Sequence, residues 1–214
     1  MANPRYRLHG IYPYDRSAKA RWLLAELGIS HEDRWLDRET REFEKPEYLA
    51  LNPMGRIPVL EIDGQAMFES GAICSYLADR HFDKGLAPAL DSPERAIYQQ
   101  WMYFAASTLD PIQAKIMIIE DIPAGEVQKS KESEIQEELR DAMQALDRTL
   151  SRGDYLVGNR FTAADICVSY QALWLTLWPE LESVMKLYPR VLAYIERMKS
   201  RPAAIQAKVF SYPG

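Results

Sequence analysis

The stretch Asn52 to Ile73, NPMGRIPVLEIDGQAMFESGAI, decides how this chain is read. A turn at Asn52-Pro53-Met54-Gly55 leads into a short apolar run, Ile57-Pro58-Val59-Leu60. Asp63-Gly64 then returns the chain to Met67-Phe68, and Glu69-Ser70-Gly71 opens a helix carrying Ile73, Tyr76 and Leu77. Asp-Gly between two short apolar runs predicts a hairpin. Serine ahead of an apolar-periodic run predicts a helix start. The first backbone N–H groups of such a helix, with the dipole behind them, favour a carboxylate or phosphate. Pro58 has no N–H to give to a ladder, so it belongs at the first residue or the edge of a strand.

Upstream of this stretch, Arg5 to Gly10 reads as a strand and Ile11 to Tyr14 as a turn. Asp15 stands where an N-cap belongs, ahead of a helix that places Ala20, Leu23, Leu24 and Leu27 on one face. Gly28 follows as the residue that accepts positive φ at the helix end, and His31 to Leu36 is a weaker strand. Strand, helix and strand in this order imply parallel pairing. With the hairpin and the Ser70 helix added, the pattern is β-α-β followed by β-β-α, ending near Phe82. In outline this is a thioredoxin-like domain, with four strands covered by helices on both faces.

Asp83 to Pro93 reads as a linker, and everything beyond it as helix. Glu94 to about Glu120 predicts one long helix with a kink at Pro111, because proline removes a hydrogen bond and crowds the preceding turn. Ile135, Leu139, Met143, Leu146 and Leu150 mark a second long helix. Phe161-Thr162-Ala163-Ala164-Asp165-Ile166 holds a capping box between Thr162 and Asp165 and opens a third. Pro189 and Pro202 each stand at the first turn of a later helix. The expected fold is therefore α/β plus all-α: a thioredoxin-like domain over residues 1–83 and an all-helical domain over residues 93–214.

The 214 residues carry 26 basic and 31 acidic side chains, a net charge of −5 without a long run of one sign. A nucleic-acid partner calls for a basic face, so none is expected. No apolar stretch approaches the roughly 20 residues that span a bilayer, and the N-terminus shows no signal-peptide core. The expected setting is cytoplasmic, without a membrane partner. Cys74 and Cys167 lie far apart, outside any C-x-x-C pair, and read as small buried hydrophobes. His9, His31 and His81 show no ligand spacing, so no metal is expected.

The compound motif NP-x-G-x-I-P-V-L, hairpin, E-S-x-A-I resembles the glutathione-binding half of the soluble glutathione transferases, and the Thr162–Asp165 motif resembles that family's folding cap. The resemblance covers nearly the whole chain, without pointing to a particular class. It implies that Pro58 is cis, that the backbone of Ile57 pairs with the cysteinyl part of glutathione, and that Glu69 and Ser70 hold the γ-glutamyl end. Arg56 stands where the family often has a basic residue, which the resemblance pairs with the glycyl carboxylate, against the reading of an exposed turn charge. The resemblance also implies a cytoplasmic homodimer in which glutathione, the cosubstrate, attacks a small hydrophobic electrophile, a detoxification chemistry.

The stretch after the first strand departs from the family's known serine and cysteine signatures, so the residue that activates the thiol is open. A free thiol, with a pKa of about 8.5, is only ~3% ionised at pH 7. Lowering that value by ~2 units takes ~2.7 kcal/mol. One hydrogen bond to a charged acceptor contributes about 1.5–3 kcal/mol, so a single hydroxyl aided by a helix N-terminus suffices. Counting back from Gly28-Ile29, the position where serine-type members of the family carry that hydroxyl falls on Tyr14, followed by Ser17 and then Tyr12. Ser17 has a competing local role in the first turn of its helix. Tyr12, Tyr103, Trp174 and Trp178 are candidates for lining an apolar electrophile site, against ordinary core packing. Two rival readings remain: a glutathione-dependent disulfide or peroxide reductase, and a non-catalytic binding module on the same fold. Maleylacetoacetate-type isomerisation is disfavoured, because its serine- and cysteine-rich signature is missing.

Overall fold

The structure is a computed structural model that describes residues 5–11, 15–119 and 122–210. The chain divides into two compact units, residues 1–86 together with 199–214, and residues 87–198.

The first unit is built on a four-stranded sheet. β1 (Tyr6–Gly10), β2 (Glu32–Trp35), β3 (Val59–Ile62) and β4 (Gln65–Phe68) lie in the order β2-β1-β3-β4. β1 runs parallel to β2 and antiparallel to β3, and β3 antiparallel to β4. This is the thioredoxin-like arrangement that the sequence predicts. Asp63 and Gly64 both have positive φ, 52° and 85°, the primed turn whose twist matches that of the strands. Asp63 also accepts the Arg5 N–H at 2.9 Å, which ties the hairpin tip to the start of β1.

α1 (Ser17–Leu27) and α3 (Ser70–Arg80) pack together. Leu23, Leu24 and Leu27 of α1 and Ile73, Cys74 and Leu77 of α3 are buried. Full burial of one such leucine or isoleucine contributes about 1.5–3 kcal/mol. Gly28 ends α1 at φ 69°, and the Ile29 N–H closes back on the Leu24 carbonyl at 2.9 Å. A second apolar cluster joins Ile11, Leu36 and Val59 to Tyr48 of the short helix α2 (Pro46–Leu49).

The last helix, α10 (Pro202–Gln206), packs on α1. Arg201 makes a two-pronged ion pair with Glu26 at 2.7 and 2.9 Å, and Phe210 meets Trp22 edge to face at 5.3 Å. The sequence reading runs the helical domain to residue 214, whereas these contacts group the terminal segment with the first unit. Periodicity shows which face of a helix is apolar but not which neighbour covers it.

The second unit contains α4 (Glu94–Phe104), α5 (Asp110–Ile119), α6 (Glu126–Leu150), α7 (Ala163–Thr176), α8 (Pro179–Met185) and α9 (Pro189–Lys199), the last of which reaches its boundary. The long helix expected from Glu94 is interrupted by a π-type turn at Ala105–Leu109. Pro111 cannot donate to the Ser107 carbonyl and its ring would crowd it, and the widened turn absorbs that conflict. α7 is buried almost all round, and its Gln171 amide donates to Asp110 at 2.7 Å and Gln113 at 2.9 Å. Among the described residues no helix is long and apolar enough to cross a membrane.

The capping box forms as the sequence predicts. The Asp165 carboxylate accepts the Thr162 N–H at 2.8 Å, the Leu156 N–H at 3.1 Å and the Tyr194 hydroxyl at 3.1 Å. Burial nevertheless pushes this carboxyl up to about 6 from 3.8, against those donors. Between the two values the folded chain binds the proton more readily than the unfolded chain. The contribution of the neutral acid is thus full below about pH 4 and is lost as pH rises through about 6, by up to about 3 kcal/mol. The stability advantage of the wild type over Asp165→Asn, from denaturant midpoints, is expected to shrink between about pH 4 and pH 7. An advantage that grows over that interval would mean that the donors outweigh burial.

Candidate functional site

The strand registers bring three separate segments to one end of the sheet. Val59 lies opposite both His9 of β1 and Phe68 of β4. Beyond it, Ile57–Pro58, Gly10–Ile11 and Glu69–Ser70 all leave the sheet at the same end. Gly10 is needed there. A Cβ on it would fall 2.9 Å from the Ser17 Cβ and 3.0 Å from an Asp15 carboxylate oxygen, so only glycine lets the start of α1 come this close.

The Ile57–Pro58 peptide bond is cis. Among the described residues, nothing hydrogen-bonds to the Ile57 N–H or to its carbonyl. Ile57 is half-buried, in a region where backbone groups are ordinarily paired. It therefore offers one donor and one acceptor to an extended partner. The preceding carbonyl, of Arg56, is by contrast doubly engaged, by the Tyr48 hydroxyl at 2.8 Å and the Asn52 amide at 2.6 Å. The Arg56 side chain is exposed.

Glu69 lies between β4 and α3 at φ 71°, ψ 108°, a conformation that costs a non-glycine residue of order 1–3 kcal/mol. It turns the chain so that α3 begins at Ser70 with its first N–H groups at the site end. The Glu69 carboxylate is exposed, and Ser70 is 7% exposed. No hydrogen bond among the described residues occupies the Ser70 hydroxyl. A hydroxyl, backbone N–H groups and the positive end of an eleven-residue helix together form a carboxylate site.

Of the three candidate thiol-activating residues, Tyr12 and Tyr14 lie outside the described residues. Ser17 is fully buried at the first position of α1. Its hydroxyl accepts from the Arg21 guanidinium at 3.0 Å and bonds to the Asp15 carboxylate. Asp15 also takes the backbone N–H groups of Ile11 and Ser17, so it ties the end of β1 to the start of α1. Burial raises the Asp15 carboxyl above its ordinary range, against these donors.

In the second unit, Tyr103 is 67% exposed, and Trp174 and Trp178 are half-buried. Trp174 also packs on Tyr170 at 6.3 Å. Cys74 and Cys167 are both buried, as the sequence predicts. Two residues that the sequence reading left without a site role, Tyr48 and Asn52, prove to adjoin Ile57. Asn52 heads the motif as a turn residue, and its spacing of four from Tyr48 is the available signal.

Comparison with known proteins agrees with this geometry. Residues 4–79 match the model of the glutathione S-transferase N-terminal domain, and residues 114–207 that of the C-terminal domain. A glutathione S-transferase of Arabidopsis thaliana is 31% identical over 98% of this chain and 85% of its own length. One from Schizosaccharomyces pombe is 30% identical over 92% and 90%. A glutathione transferase of Phanerochaete chrysosporium, solved in complex with oxidized glutathione, superposes with a TM-score of 0.86 at 25% identity, over 96% of each chain. A family member from Pseudomonas fluorescens with two glutathione bound gives 0.83 at 25% identity, over 95% and 92%. With both halves matched in order and relatives at 30% and 31% identity over most of their length, the chain belongs to the glutathione S-transferase family of enzymes.

Proposed function

We propose that this enzyme binds glutathione as its cosubstrate, ionises the thiol and directs the thiolate at a small hydrophobic electrophile. The observation that carries the reading is the backbone donor and acceptor of Ile57 and the Ser70 hydroxyl, unengaged among the described residues, at the same end of the sheet. An extended tripeptide with a carboxylate at each end and a thiol in the middle suits that pair. In this reading the cysteinyl backbone pairs with Ile57, next to Pro58. Ser70 donates to the γ-glutamyl carboxylate, Glu69 pairs with the α-amino group, and Arg56 meets the glycyl carboxylate. Residues 1–83 belong to the glutathione-binding unit, and residues 93–198 of the helical unit contribute the electrophile site. In the same reading the enzyme acts as a cytoplasmic homodimer in detoxification.

The thiolate sulfur forms a bond to the electrophilic carbon, and the electron pair displaced from that carbon departs with a leaving group or, in an addition, is taken by a proton at the neighbouring atom. What the protein supplies is a donor that holds the sulfur as an anion. The Ser17 hydroxyl is already engaged by Arg21 and Asp15, which favours Tyr14 for that role, with Tyr12 behind it. A phenol with a pKa near 10 stays protonated at pH 7 and can donate. Both cysteines are buried, which gives a cysteine-based reductase mechanism no support.

Ser70→Ala removes a bond to a charged group worth about 1.5–3 kcal/mol, so glutathione should bind at least about tenfold more weakly with the fold intact. Unchanged affinity in calorimetry would put the ligand elsewhere. The activating residue is assigned by titrating the absorbance of bound thiolate in Tyr14→Phe, Tyr12→Phe and Ser17→Ala. Tyr14→Phe alone is expected to raise the bound-thiol pKa, by about 1–2 units. A shift confined to Ser17→Ala would transfer the role to Ser17. Turnover of an aryl halide with glutathione is expected, and turnover of only a peroxide and a mixed disulfide would favour the reductase reading. Light scattering should give twice the 24.6 kDa chain mass at micromolar concentration, and a monomer would remove the dimer from the proposal.

A further inference from the structure

Tyr48 and Asn52 approach the backbone of Ile57 from the side of the sheet that carries α2. Tyr48 lies on α2 and is 4% exposed, and Asn52, one turn further on, is 3% exposed. The Asn52 N–H bonds to the Tyr48 carbonyl at 3.0 Å, so the helical spacing carries past the end of α2 and the two side chains share one face. The chain then doubles back. The Asn52 side-chain oxygen accepts the Met54 N–H at 3.1 Å, its carbonyl accepts the Gly55 N–H at 3.0 Å, and Gly55 turns at φ 58°. That reversal returns the Arg56 carbonyl to the two donors, which occupy both of its lone pairs.

The Arg56 carbonyl and the Ile57 N–H belong to one peptide plane. The Arg56–Ile57 bond is trans, so the two groups point in opposite directions. Fixing the carbonyl toward α2 therefore aims the N–H away from α2. We propose that Tyr48 and Asn52 are positioning residues that lock this peptide and so set where the cysteinyl group, and with it the sulfur, is held. The inference rests on the glutathione reading above. The Tyr48 phenol is suited to the task, because burial and the nearby Asp15 charge raise its pKa above the ordinary value and keep it a donor. The His9 ring packs against it with centroids 5.8 Å apart, which limits its movement.

Two substitutions isolate the effect. Tyr48→Phe removes one oxygen and leaves the ring. Asn52→Asp keeps an oxygen for the Met54 N–H and replaces the donor aimed at the Arg56 carbonyl by an anionic acceptor, so it repels that carbonyl instead of holding it. In the double variant, glutathione is expected to bind about tenfold more weakly and the bound-thiol pKa to rise by about 0.5–1 unit. If the double variant does not fold, Tyr48→Phe alone carries the test, with a loss of about threefold. Ser70→Ala is the reference. Weaker binding in Ser70→Ala, with unchanged affinity and thiol pKa in the Tyr48 and Asn52 variants, would overturn the positioning role even if their melting temperatures fell. Unchanged affinity in all of them would remove the glutathione reading and this inference together.

Discussion

Strand β3 is paired on both sides, and both of its registers pass through Val59. That double pairing is the constraint on which the site depends. A slip of one residue in either ladder would send alternate side chains to the wrong face and displace one of the three segments that meet beyond Val59. Leu8 and Leu60 lie opposite each other and are fully buried, so such a slip would pull leucine out of the core, at about 1.5–3 kcal/mol for each side chain exposed. The geometry of the polar end is in this sense held by apolar residues that never touch it.

The site itself uses little side-chain chemistry. Its distinctive groups are backbone: the donor and acceptor of Ile57, the first N–H groups of α3, and the positive-φ turn at Glu69. Backbone groups are difficult to aim, because each peptide rotates freely unless both neighbours are constrained. Around Ile57 the constraints are the following Pro58, which restricts the residue before it, and on the other side the Arg56 carbonyl held by two donors. Around Ser70 they are the strained Glu69 and the buried face of α3.

Much of this was legible in the sequence because it is local. The Asp63-Gly64 turn, the Gly28 stop, the Thr162–Asp165 box and the Ser70 helix start each depend on residues within a few positions of one another. Glu69 and Ser70 are named together with Ile57 through the family resemblance, and the one hairpin that separates them brings them to the same end of the sheet. What escaped has two sources. The Arg56 carbonyl is engaged through a chain reversal, which pattern does not encode. The allegiance of α10 depends on Arg201 finding Glu26, 175 residues away. The engagement of the Ser17 hydroxyl by Arg21 is a different case: the spacing of four was visible, but nothing in it says whether a long side chain turns toward the helix start or toward solvent.

The grouping of the terminal segment with the first unit makes that unit discontinuous, since residues 87–198 are inserted in the chain between its parts. Synthesis runs from the N-terminus, and domains generally fold as units when their residues become available. The helical unit has all its residues before the first unit has its own. The sheet emerges early, yet the bare side of α1, with Trp22 and Glu26, waits for Arg201 and Phe210. The half of the chain that is made first is therefore the half that is finished last.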